Sequence, residues 1–290
     1  MSDENIEADF TRYTILTIFF VGMGVLLYAI NIDLLSLVNQ SVNSFYSTSS
    51  LVFSWRLICL SVGICAIIYM FNCGPGNMRV HILKNSEEVI YHPDGIEKFI
   101  TFSSWTLLVN VIYFASASLV QTLDYLEISS PRILSQIQLI AFCMGIAIAF
   151  LTATIVRHII LPDEAKLGRK CDHMFLFHEQ VMHNFAAIFL AIELIILRPK
   201  LIPEFAIFGL FLGIIYVVFA YLFAYFGGGY LAYSFINPKP KIASFLVIGL
   251  ASFIAIFYTG LWFISTLDQV LAGILLSAWV MLIVQFKQNK

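Results

Sequence analysis

Apolar runs of about twenty residues recur along this chain, separated by short polar stretches. A run of that length is what one α-helix needs to cross the roughly 30 Å hydrocarbon core of a bilayer. Eight such runs can be drawn, at about 13–38, 50–72, 99–123, 133–161, 176–197, 201–226, 242–264 and 268–286. Only Ser265-Thr266-Leu267-Asp268 separates the last two, which predicts a tight helical hairpin. The alternating ten-residue segments of a membrane β-barrel are absent, as are internal repeats and low-complexity tracts. The pattern predicts an all-α, polytopic transmembrane helical bundle. It is read as one domain over 13–286, between tails 1–12 and 287–290.

Composition agrees with the pattern. Of the 290 residues, 60% are hydrophobic and 12% charged, with a mean hydropathy of +0.89; soluble domains are near half apolar and a quarter charged. A net charge of −2 gives no basis for nucleic-acid binding. The five cysteines (Cys59, Cys65, Cys73, Cys143, Cys171) form no CxxC pair and read as small buried hydrophobes. Met1–Thr11 holds four acids and no base, unlike a signal or transit peptide, so the first run is expected to remain as a span.

Loop charge sets an expected orientation. With the N-terminus on one side, that side receives twelve Lys and Arg; the other receives four, Arg56, Arg132, Arg198 and Lys200. The positive-inside rule then places both termini in the cytosol, in an endomembrane or the plasma membrane. Two sizeable loops, 72–98 and 161–172, fall on the cytosolic side, with the flexible Gly227-Gly228-Gly229 after the sixth run.

Polar groups inside a bilayer carry the information, because ionisable ones cost about 2.5–3.5 kcal/mol at its centre on insertion scales. The third run holds Thr101, Ser103, Ser104, Thr106, Asn110 and Tyr113. The fifth holds Glu179, Gln180, His183, Asn184 and Glu193. No other run pairs a hydroxyl cluster with a histidine and a carboxylate. Thr101 and His183 lie roughly 3 and 10 Å from the same membrane face at 1.5 Å per residue. A neutral imidazole within hydrogen-bond reach can take the proton of a threonine hydroxyl and make it a nucleophile. The first turn of a helix offers unpaired N–H groups to an oxyanion. Glu179, four residues before His183, can orient the imidazole. Glu193, ten residues beyond, is too distant for that and suits a bond across helices or a ligand contact. Asn184 and Ser104 are further candidates for orienting or contacting a ligand. Each also has a plain structural use: Thr101 as a helix cap, His183 in an interhelical bond.

His178-Glu179-Gln180-Val181-Met182-His183 is not a zinc motif. HExxH needs histidines four apart; here they are five apart, roughly 140° round a helix. No metal and no cofactor is expected, and no GxSxG or phosphate loop occurs.

At these residues the chain resembles a known family, the androgen-induced proteins, which include the androgen-dependent coagulation-regulating protein. The family's aromatic-x-Thr-Phe at the start of a span is matched by Phe99-Ile100-Thr101-Phe102. Its Met-His, followed ten residues after the histidine by glutamate, is matched by Met182-His183 and Glu193. Its acidic stretch between these spans resembles Leu161-Pro162-Asp163-Glu164, and its late Gly-x-x-x-Tyr-x-Phe resembles Gly229 to Phe235. The resemblance covers about residues 50–265. It implies a multispan membrane hydrolase of fatty acid esters of hydroxy fatty acids, with Thr101 as nucleophile and His183 as base; no role passes to Glu193. The chain departs from the family in having about eight spans instead of six. It also has Leu231, Asn184 and Ser234 where tryptophan, a small hydroxyl residue and proline are usual. The expected partner is a lipid substrate within the bilayer. The alternative is a non-enzymatic lipid-binding or structural subunit of a larger complex, with a transporter third.

Overall fold

The computed structural model describes residues 9–169 and 171–287. Most of the two expected tails, and Lys170 and Lys290 of the charge count, lie outside the described residues. Seven helices are long and apolar enough to cross a bilayer, the mark of an integral membrane protein. They are α1 (Thr11–Asn31), α3 (Ser50–Asn72), α4 (Phe102–Tyr125), α5 (Arg132–Lys166), α6 (Phe177–Leu197), α7 (Pro203–Phe226) and α8 (Ala243–Thr266). A short α2 (Leu34–Ser41) follows α1, and α9 (Gln269–Ile283) ends the bundle.

Three boundaries differ from the pattern of apolar positions. The first run breaks at Asp33, whose backbone is left-handed (φ 49°) and whose side chain caps α2 by accepting from Ser36 N. The eighth run is helical for only 15 residues, roughly 22 Å at 1.5 Å per residue and short of a full crossing. Polar side chains meet its end within the protein. Arg157 donates to Met281 O and Val284 O, His158 reaches Leu282 O, and Asn184 bonds both N and O of Gln285. The third correction is a small antiparallel sheet where loop was expected. Its order is β2-β1-β3, with β1 at Met78–Ile82, β2 at Glu88–Tyr91 and β3 at Tyr230–Leu231. Val80 is buried against Tyr230 and Ala232 beneath the sheet.

α5 is the central helix, with 78% of its apolar stretch buried, whereas α1 and α8 are peripheral at 17% and 22%. Phe142, Ile146 and Phe150 of α5 are fully buried in the main core. Without a hydrophobic drive between helices in lipid, close approach of backbones does the holding. Gly209-Leu210-Phe211-Leu212-Gly213 supplies it: a Cβ at either glycine would come within 2.8 Å of Ile254 on α8. Cys59, Cys143 and Cys171 are buried, Cys73 is half-buried, and Cys65 is exposed on the outside of α3.

His81 joins the sheet to the α7–α8 connection. Its Nε2 faces Asn237 Nδ2 at 2.9 Å, and Asn237 Oδ1 accepts from Lys239 N, which fixes the amide's orientation. The imidazole must therefore accept, as the neutral form does. Burial pushes its pKa below 6.5; Glu88 opposes this and Lys239 adds to it. A folded pKa below the unfolded one gives stability present above about 6.5 and lost as pH falls through the lowered folded value. Amide exchange at Ile82 and Leu83, corrected for intrinsic rate, should quicken between pH about 7.5 and about 5.5. His81→Leu should remove that dependence; an unchanged dependence would refute the assignment.

Candidate active site

Thr101 is the N-cap of α4, one residue outside the helix, with extended backbone. A 3₁₀ turn at Gly95–Ile100, capped by Asp94, delivers it there. Surrounding side chains tie down the backbone on both sides. Ser104 Oγ donates to Lys98 O (2.7 Å), Trp105 Nε1 to Phe99 O (3.0 Å) and Tyr216 OH to Ile100 O (2.9 Å). Phe102 N donates to Tyr233 OH (3.1 Å). Lys98, counted as a loop charge in the sequence, is buried, and its ammonium donates to Met70 O and Gly74 O at the end of α3. A cation there meets the negative end of the helix dipole.

The Thr101 hydroxyl accepts from Ser104 N at 3.3 Å and lies 2.6 Å from Ser104 Oγ. Ser104 has one hydroxyl proton and gives it to Lys98 O, so the Thr101 proton points to Ser104 Oγ in this arrangement. Of the first N–H groups of α4, those of Phe102 and Ser104 are taken. The phenol of Tyr233 accepts from Phe102 and keeps its own proton for another acceptor. Burial raises its pKa, although Ser103 and the Phe102 and Ser103 backbone pull it down, so at neutral pH it is a donor.

His183 sits in a π turn, Val181–Phe185, within α6 and is 4% exposed. Glu179 Oε2 lies 3.5 Å from its Nδ1, within ion-pair range but outside hydrogen-bond geometry, and Nδ1 has no other partner. The second carboxylate oxygen, Oε1, is 3.4 Å from His178 Nε2. An i→i+5 turn draws residues five apart toward one face, which helps one carboxylate meet two imidazoles that a regular helix would turn apart. Among the described residues no group of three or more His, Cys, Asp and Glu could hold a metal ion.

Thr101, Ser103, Ser104, Glu179, His183 and Tyr233 all line one cavity of about 820 Å³ at the sheet end of the bundle. The β1–β2 hairpin covers it. Arg79 on β1 pairs with Glu88, Asp163 and Glu164, tying the hairpin to the end of α5. His173 also lines the cavity; burial lowers its pKa, opposed by Glu179, Glu164 and Asp172.

Two candidates lie elsewhere. Asn184 does not line the cavity; Gln180 and the backbone of Gln285 take up its amide. Glu193, 0% exposed, forms a 2.8 Å ion pair with Arg56, which is 1% exposed. Tyr113 OH donates to the same carboxylate oxygen at 2.7 Å. Arg56 also donates to Gln121 Oε1 and Phe45 O. Arg56 is therefore no loop charge. Its place six residues inside an apolar run was the signal that it needed a partner. Tyr233 belongs to the Gly229–Phe235 stretch that the sequence singles out without assigning it a role. Comparison with family models, with curated proteins and with solved structures found no match.

Proposed function

We propose that this protein is an integral membrane hydrolase of lipid esters, with Thr101 as nucleophile and His183 as general base. The observation that carries the reading is the shared cavity: a capping threonine and a carboxylate-flanked histidine, 82 residues apart in sequence, line one space. With Glu179 beside Nδ1, that nitrogen carries the proton and Nε2 keeps its lone pair. For the reaction the Thr101 hydroxyl must leave Ser104 and meet Nε2 across the shared cavity, where the imidazole takes its proton. The oxygen then attacks the ester carbonyl, and Tyr233 OH donates to the oxyanion. Collapse of the intermediate breaks the ester C–O bond, and His183 returns the proton to the leaving alkoxide. Water then loses a proton to His183 and attacks the acyl-threonine; its C–O bond breaks, His183 returns the proton to Thr101 Oγ1, and the acid leaves. The resemblance noted in the sequence favours fatty acid esters of hydroxy fatty acids as the substrate class.

The positive-inside bias favours the cytosolic face for the site and the N-terminus, and Arg157, near the site end of α5, holds the end of α9 on that same side. Removing the buried Arg56 and Lys98 from the count leaves eleven basic residues against three. A second reading, a lipid-binding protein without turnover, draws on the capping bonds that occupy the Thr101 hydroxyl. Purified protein should hydrolyse a branched fatty acyl ester and react with a fluorophosphonate probe, and Thr101→Ala or His183→Ala should lose both. Undiminished turnover in both variants would refute the assignment of Thr101 and His183, whereas a wild-type protein with neither turnover nor labelling would leave the second reading standing.

A further inference from the structure

A second, narrow cavity of about 90 Å³ lies beside the first and reaches out between α1, α7 and α8. The two share a wall made of Ser103, Ile160, Tyr233 and Phe235. Beyond that wall the slot is lined by hydrocarbon, such as Ile18 and Val21 of α1, Leu210 and Val217 of α7, and Val247 and Ala251 of α8. Its other hydroxyls are already engaged: Tyr216 donates to Ile100 O, and Thr152 pairs with Thr106. Polar atoms therefore remain only at the inner end, next to Thr101. Val21, Leu210, Val247 and Ala251 are half-exposed on helices whose outer faces meet lipid, so the outer end reaches the bilayer.

We propose that this slot is an acyl-chain subsite. It takes the first few methylenes of one unbranched hydrocarbon chain of the ester, whose remainder stays in the bilayer, and brings the ester carbonyl past Ser103 and Tyr233 to Thr101. The proposal rests on the hydrolase reading above. Its ligand chemistry follows from the walls: a dry apolar room excludes water and admits hydrocarbon, and a space far smaller than the main cavity admits a chain and no headgroup. Moving a chain from lipid into the slot gains little free energy, because lipid tails are as apolar as the walls. The slot therefore acts by positioning the ester carbonyl, and its signature is chain-length selectivity.

Ala251→Phe and Val247→Phe, one helical turn apart on the same face of α8, would plug the slot. In the full-length protein each should lower kcat/KM for para-nitrophenyl palmitate about tenfold while leaving the butyrate ester within about twofold. An unchanged palmitate-to-butyrate ratio in both variants would overturn the subsite. A diazirine-bearing palmitic acid tests occupancy without turnover. In wild type and Thr101→Ala it should crosslink to residues such as Leu210, Val247 and Ala251, and Ala251→Phe should abolish this. Crosslinks confined to other helices would overturn the proposal. Crosslinks in the slot of a protein that hydrolyses no ester would support the subsite and sink the hydrolase reading alone.

Discussion

Replacing Arg56 by methionine should destabilise the protein by about 3–5 kcal/mol, the usual cost of removing one partner of a buried ion pair. Both side chains are essentially inaccessible. The Glu193 oxygen that faces Arg56 also accepts from Tyr113, and the other oxygen, Oε2, has no hydrogen-bond partner. Loss of the guanidinium would strand a carboxylate in hydrocarbon with one phenol for support. It would also free Gln121 Oε1 of its Arg56 donor, whereas Phe45 O would keep Gln138. The unfolding midpoint in detergent should fall by about 10 °C, on the 2–4 °C per kcal/mol typical of domains of 150–250 residues. Arg56→Met combined with Glu193→Gln should recover most of the loss, since replacing both members of a buried pair is often neutral. A single variant that unfolds within a degree or two of wild type would refute this reading of the network.

Thr101 holds two roles that separate by substitution. As an N-cap it accepts from Ser104 N, and capping residues are worth about 0.5–2 kcal/mol. As a nucleophile it must carry a hydroxyl. Thr101→Asn keeps a capping acceptor without the nucleophile, Thr101→Ser keeps both, and Thr101→Ala keeps neither. Turnover should fall at least about a thousandfold in the Asn and Ala variants and persist in Ser, because a nucleophile acts as a unit with its base. Stability should follow the other order, with only Ala reduced. His183→Ala should cost about 10²–10⁴ in kcat as a lost general base. Turnover in Thr101→Asn equal to that of wild type would show that the residue is a cap alone.

The bundle is largely legible in the sequence because lipid forbids unpaired backbone and so demands long apolar helices. Seven of the eight predicted runs became such helices, with ends shifted by only a few residues except where Asp33 ends α1 early and α5 runs on to Lys166. The failures have physical causes. Asp33 breaks the first run because one residue in a left-handed conformation lets an aspartate cap the next helix. The strands were hidden because five residues of alternation at Met78–Ile82 are too short a signal, and their second partner, Tyr230–Leu231, is 148 residues away from Ile82. α9 falls short because its final carbonyls find Arg157 and Asn184, contacts that no local pattern encodes.

The site divides the same way. Loop charge and depth place Thr101 and His183 near one face, and they do line one cavity. Glu179 beside His183 follows from an i, i+4 spacing. The Arg56–Glu193 pair joins residues 137 apart, and Tyr233 reaches Phe102 across 131. Such contacts depend on how helices pack and not on any local spacing. The free N–H groups expected at the start of α4 were a local inference overtaken by packing, because Tyr233 and Thr101 itself claim two of them.

The most direct measurement is the position of the covalent adduct formed by a fluorophosphonate on the purified full-length protein, read by peptide mass spectrometry. The hydrolase reading predicts a single adduct on Thr101, formed in wild type and in Thr101→Ser and absent from His183→Ala. An adduct on Ser103, Ser104 or Tyr233 in place of Thr101, or labelling of Thr101 that persists without His183, would contradict it.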